Sequence, residues 1–212
     1  MVEINKVRSL SIWIFIIPFV ALNTCLILIT QFHGLFPNQE DIIHNTFPYI
    51  DGGASISRTA RVFPTYLVFK PAMFLTSFLL IKYWFFNRDI ILQLNGGHKH
   101  LRKIVNFGVA SAIALILHSI FLGVKFDYDL YKLFRRVIML MFIVFEIVAQ
   151  AYLVIILYSF REKLVNYINP KILKLKIILV SILIVVAAIS VPIISLPGDN
   201  FMGFNLKFFK HA

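Results

Sequence analysis

The chain has 212 residues, of which 59% are hydrophobic and 15% charged, with a mean hydropathy of +0.84 and a formal charge of +11. Soluble domains carry about 25% charged residues, so this composition excludes an ordinary water-soluble globule and specifies a chain dissolved in lipid. The basic residues sit mainly in short connections between apolar runs, where Lys and Arg set topology and meet anionic headgroups, so the charge does not indicate nucleic acid.

A membrane-crossing helix needs about 20 mostly apolar residues. Reading along the chain, such runs occur at about residues 10–32, 65–86, 104–124, 137–159 and 177–196. They predict an all-α, polytopic transmembrane helix bundle formed by residues 1–212 as a single membrane domain. The first run follows Lys6 and Arg8 but is too long for a signal-peptide core, and no small-x-small cleavage site follows it, so it reads as a retained helix. The lone cysteine, Cys25, lies inside this run and reads as a small buried apolar residue.

Between the first two runs, residues 33–64 include "FPYIDGGASISRTARVFP", a polar segment carrying Asp51, Arg58 and Arg61. A connection of that length between packed helices is uncommon unless it is functional or disordered. Phe47, Tyr49, Ile50 and Ile56 argue for order, so this loop is expected to fold over one mouth of the bundle.

Within the later runs, ionisable groups are few, and such groups are functional candidates because burying them in lipid is costly. Lys70 lies in the second run beside Pro71, His118 in the third, and Glu146 and Gln150 share one face of the fourth at i and i+4. Counting about 1.5 Å per residue puts Lys70 and His118 roughly 8–10 Å, and Glu146 roughly 15 Å, below the surface bearing the long loop. The expectation is a polar pocket in that half of the bundle, with His118 as acid or base and Glu146 orienting it. The alternatives are equally concrete. Lys70 snorkels to the headgroups, Glu146 and Gln150 join helices, and His118 is a satisfied packing residue.

"NGGHKHLRK" and "REKLVNYINPKILKLK" read as turns with basic patches facing anionic lipid. His98 and His100 alone do not make a metal site, and no phosphate loop, serine-nucleophile motif or dinucleotide fingerprint is present. No metal or cofactor is therefore expected. Eleven Lys/Arg on the N-terminal side against eight on the loop side predict a cytoplasmic N-terminus. The Lys-, Ile- and Asn-rich wording suggests a bacterial source and a cytoplasmic membrane, whereas a eukaryotic source would imply the secretory pathway.

One outer loop reading "FPYIDGGASISR", followed by a helix closing on Tyr83 and Trp84, resembles the Frag1/DRAM/Sfk1 group, which includes PGAP-type lipid-remodelling factors. Phe47, Pro48, Ile50, Ser55 and Ser57 carry the likeness, and "FEIVAQ" resembles a polar late helix of that group. The resemblance implies association with membrane lipids and a sixth helix, which would follow the amphipathic "NFMGFNLKFFKHA". The resulting expectation is a protein that binds or remodels lipid at the outer or luminal leaflet. Asp51, Ser55, Ser57, Arg58, Arg61, Lys70 and Gln150 would meet the headgroup or substrate, and His118 and Glu146 would be catalytic. The competing expectation is a non-catalytic adaptor or structural subunit, associating through its helices with itself or another membrane protein. A small transporter ranks third, because neither internal repeats nor discontinuous helices are visible.

Overall fold

The computed structural model describes residues 2–38, 41–43, 59–95, 98–124, 129–164, 169–195, 200–201 and 204–205. Five long helices make up the bundle: α1 (Val2–Gln31), α2 (Tyr66–Asn95), α3 (Leu101–Phe121), α4 (Asp129–Ser159) and α5 (Pro170–Ser195). All five are long and apolar enough to cross a membrane, where a helix is favoured because it satisfies its own backbone groups without water. Each predicted run lies largely within one of them. A 3₁₀ turn at His33–Leu35 follows α1, and one helical turn at Arg161–Leu164 follows α4. Near the C-terminus, Asn200–Phe201 (β1) and Phe204–Asn205 (β2) form a two-residue antiparallel pair.

The helices outrun the apolar windows that predict them. α2 continues through "NRDIILQLN" to Asn95, and α4 begins at Asp129 instead of near residue 137. Charged residues break a hydropathy window but not a helix once the chain has left the hydrocarbon. At about 1.5 Å per residue, the 31 residues of α4 span roughly 46 Å against a hydrocarbon core of about 30 Å, so roughly 8 Å projects at each end.

Successive helices are neighbours: α1 packs on α2, α2 on α3 and α3 on α4, while α5 rests more lightly on α4. The central core joins Leu80, Trp84 and Ile91 of α2 to Ile104 and Ala112 of α3 and Ala149, Leu153 and Ile156 of α4. Close approach of α2 and α3 depends on Gly108, where a Cβ atom would overlap the five-membered ring of Trp84. Small residues at such crossings are the usual device for packing helices in lipid, where hydrophobic burial supplies no driving force. α5 shows the opposite design. Ile178, Leu179, Ile182, Leu183, Val185, Val186 and Ile189 are all exposed, and among its described side chains only Val180 is buried.

At the loop-bearing end, a second cluster gathers Cys25, Ala60, Phe69, Met73, Leu115 and Leu122, and a third gathers Ile29, Phe36, Ile42 and Ile43. Both flanks of the long connection therefore pack onto the ends of the helices. Thr65 is buried with its hydroxyl against the carbonyls of Val62 (2.7 Å) and Thr59, to one of which it donates, while the Cys25 thiol donates to the Thr65 carbonyl (3.4 Å). The Phe63–Pro64 peptide is cis. Gly123, at φ +88°, faces the Arg61 carbonyl, which would lie 2.9 Å from a Cβ at that position. Both the positive φ and the close approach require glycine there. Asp51, Ser55, Ser57 and Arg58 lie outside the described residues.

Candidate functional site

The expected single pocket resolves into two polar levels. Deep in the bundle, Glu146 of α4 is the hub. Ser111 Oγ of α3 lies 2.7 Å from Glu146 Oε2, and Gln150 Nε2 donates to Glu146 Oε1 at 2.9 Å. Ser111 Oγ also lies 2.8 Å from the Gly108 carbonyl. Trp84 is fully buried beside this carboxyl. Nearby, Lys176 of α5 reaches Tyr83 Oη of α2 at 3.4 Å. Gln150, expected at a substrate, is thus engaged with Glu146 one turn away. This arrangement ties α3 to α4 through a carboxyl whose two oxygens each have a protein partner.

The other level lies around the last turn of α3. Lys70 Nζ donates to the Ile120 carbonyl at 3.4 Å and sits 5.6 Å from the centre of the Tyr66 ring. Tyr131 of α4 donates its hydroxyl to the Phe121 carbonyl at 2.7 Å. These carbonyls are among the last four of the helix and have no intrahelical partner, so an ammonium and a phenol cap the negative end of α3. In the same turn, His118 faces Arg135 of α4, whose guanidinium carbon lies 5.3 Å from the centre of the Tyr131 ring. His118 Nδ1 and Arg135 Nε are both buried and make no hydrogen bond. None of Lys70, His118 and Arg135 has an acidic partner among the described residues.

The seven-residue step along α3 from Ser111 to His118 separates the two levels by about 10 Å. Glu146 therefore does not orient His118, and Lys70, bonded two residues beyond His118, does not pair with Glu146. Each group is held by its own partners: Lys70 caps the Ile120 carbonyl, whereas Glu146 is engaged by Ser111 and Gln150. Sequence reasoning missed Arg135 because "KLFRR" ahead of the apolar run reads as a connection. It also missed Ser111, whose only signal is its place in the small-residue stretch Gly108–Ser111–Ala112, and Trp84 as a neighbour of Glu146. Arg61 is exposed at the same end, its backbone against Gly123.

At the opposite end, His98 and His100 stack 5.3 Å apart, and His98 Nδ1 accepts the His100 backbone N–H at 3.2 Å. His100 packs on Tyr152, and Lys103 Nζ sits 5.5 Å from the centre of the same ring. Desolvation, followed by the charges of Lys99, Lys103 and His98, holds His100 below the ordinary histidine range, so it is neutral at pH 7. Lys82 in α2 lies exposed over Phe78, 4.5 Å from its ring centre, as a snorkelling lysine does.

Comparison with protein-family models, with curated proteins and with solved structures yields no match.

Proposed function

We propose that this integral membrane protein binds an anionic lipid headgroup at the leaflet facing its long loop, and presents that lipid for remodelling. The observation that carries the reading is the trio at the end of α3. Lys70 retains two N–H donors beyond its bond to Ile120, Arg135 Nε is buried without a partner, and His118 Nδ1 is buried beside it. Buried polar nitrogens are normally hydrogen-bonded, and cationic donors around one helix end suit a phosphate oxygen. The likeness of "FPYIDGGASISR" to a lipid-associated group points the same way. Asp51, Ser55, Ser57, Arg58 and Arg61 belong to the connection that enters this end of the bundle. With Glu146 engaged about 10 Å away, His118 is assigned to binding, with no carboxylate partner among the described residues to make it a general base.

A structural or adaptor role is the second reading, favoured by the exposed apolar surface of α5, which would suit a partner helix. Lipid profiling of cells separates the two. Cells lacking the protein should show an altered phospholipid composition, and Lys70→Gln with Arg135→Gln should reproduce that change at normal protein level. An unaltered profile in the deletion strain would remove the lipid-handling reading and leave the adaptor.

A further inference from the structure

A groove of about 400 Å³ runs between α4 and α5, on the side of α4 turned away from the core. Val144, Val148, Ala151 and Ile155 line it at helical spacing, with Ile184 and Ala187 opposite on α5. The face of α4 that carries Glu146, Ala149, Leu153 and Ile156 points instead into the bundle. The groove is apolar along its length, so water does not fill it, and the light contact between α4 and α5 leaves it open along the helices.

One turn before Ile155, the last groove residue on α4, lies Tyr152, which belongs both to the groove and to a basic cluster. Tyr152 stands seven residues before the end of α4, about 10 Å by helical rise, and roughly 8 Å of that helix projects beyond the hydrocarbon. Its ring thus sits at the boundary between acyl chains and headgroups, the usual station for tyrosine. Against that ring lie Lys103 Nζ, 5.5 Å from its centre, and neutral His100. Lys99 and Arg102 flank them, and none of Lys99, Arg102 and Lys103 has an acidic partner among the described residues.

We infer that this groove binds one anionic phospholipid of the leaflet opposite the long loop, an acyl chain lying between α4 and α5 and the phosphate at Lys103. Charge complementarity selects this occupant. A partner helix would fill the apolar length but leave the ammonium beside Tyr152 without a counter-charge, whereas an anionic phospholipid satisfies both. The site is independent of the trio at the end of α3, which lies at the other membrane face.

Fluorescence quenching by brominated lipids tests it on the full-length protein in vesicles. The parent carries Trp13→Phe and Ile155→Trp, which puts a reporter at the inner end of the groove; Trp84 is fully buried and stays dark to lipid. Brominated phosphatidylglycerol should half-quench the reporter at a mole fraction about fivefold lower than brominated phosphatidylcholine, and Lys103→Gln should abolish that preference. Arg102→Gln removes the same charge from the exposed face of α3 and should preserve most of it. Equal quenching by the two lipids in the parent would overturn the inference, as would equal losses in Lys103→Gln and Arg102→Gln, which would mark a diffuse surface potential. Absence of quenching by either lipid would show that protein covers the groove and would overturn it as well.

Discussion

At the residue scale, a few small or polar side chains set the packing of an otherwise apolar bundle. Gly108 is the sharpest case, because it admits the Trp84 indole and lets α3 and α2 meet. Gly108→Val should cost about 3 kcal/mol, the upper part of the usual overpacking range. Denaturation in mild detergent would read this, and the variant's Trp84 emission should shift to the red as its seat opens. Stability at the parent level would contradict the packing described here. Ser111 and Glu146 make a gentler prediction. Hydrogen bonds between membrane helices average about 0.6 kcal/mol and reach about 1.7, so Ser111→Ala should destabilise within that range. In a double-mutant cycle with Glu146→Gln, the two changes should be less than additive, since each removes the same contact. Full additivity would mean that the 2.7 Å approach carries no coupling.

At the element scale, the helices divide into a tight set and a loose one. α1 to α3 converge on Cys25, whose thiol is fully buried against the Thr65 carbonyl. A membrane-permeant maleimide should therefore label Cys25 at least about 100-fold more slowly in mild detergent than in a denaturing one, because labelling needs local opening. Comparable rates in both would place that end of the bundle in disarray. The existence of all five helices was legible in the amino-acid order, since hydropathy over about 20 residues is the same signal that the bilayer reads. Their ends were not. Arg135 looks like a topological charge ahead of an apolar run, and only the earlier start of α4 at Asp129 turns it into a helix residue facing His118. Likewise, Lys70 and Glu146 fall in the same half of the bundle by residue count, but Lys70 turns to the Ile120 carbonyl and Glu146 to Ser111 and Gln150. Gln150 was legible as sharing a face with Glu146, but not as its hydrogen-bond donor, because an i and i+4 spacing does not say which rotamer is occupied.

At the scale of the whole molecule, five crossings put the start of α1, the α2–α3 connection and the α4–α5 connection at one face of the membrane. The long connection and the α3–α4 connection lie at the other. From the excess of Lys and Arg we propose that the N-terminal face is cytoplasmic. In a Cys25→Ser background, a cysteine at Gly34, where a Cβ meets nothing within 4 Å, should react with an impermeant maleimide on intact cells. A cysteine replacing exposed Lys99 should react only after permeabilisation. The opposite pattern would invert the orientation and move the trio of Lys70, His118 and Arg135 to the inner leaflet. The two proposed lipid sites lie at opposite faces, and between them the Glu146–Ser111 contact ties α4 to α3.

The most direct test of the account is where a lipid phosphate rests at the end of α3. A phosphatidylglycerol carrying a diazirine beside its glycerol backbone would be photoactivated in vesicles with the full-length protein, and the adducts mapped by mass spectrometry. The account predicts adducts on the segments around Lys70 and Arg135, lost in Lys70→Gln with Arg135→Gln while adducts near Tyr152 persist. Undiminished labelling of those two segments in the variant, or none there in the parent, would contradict it.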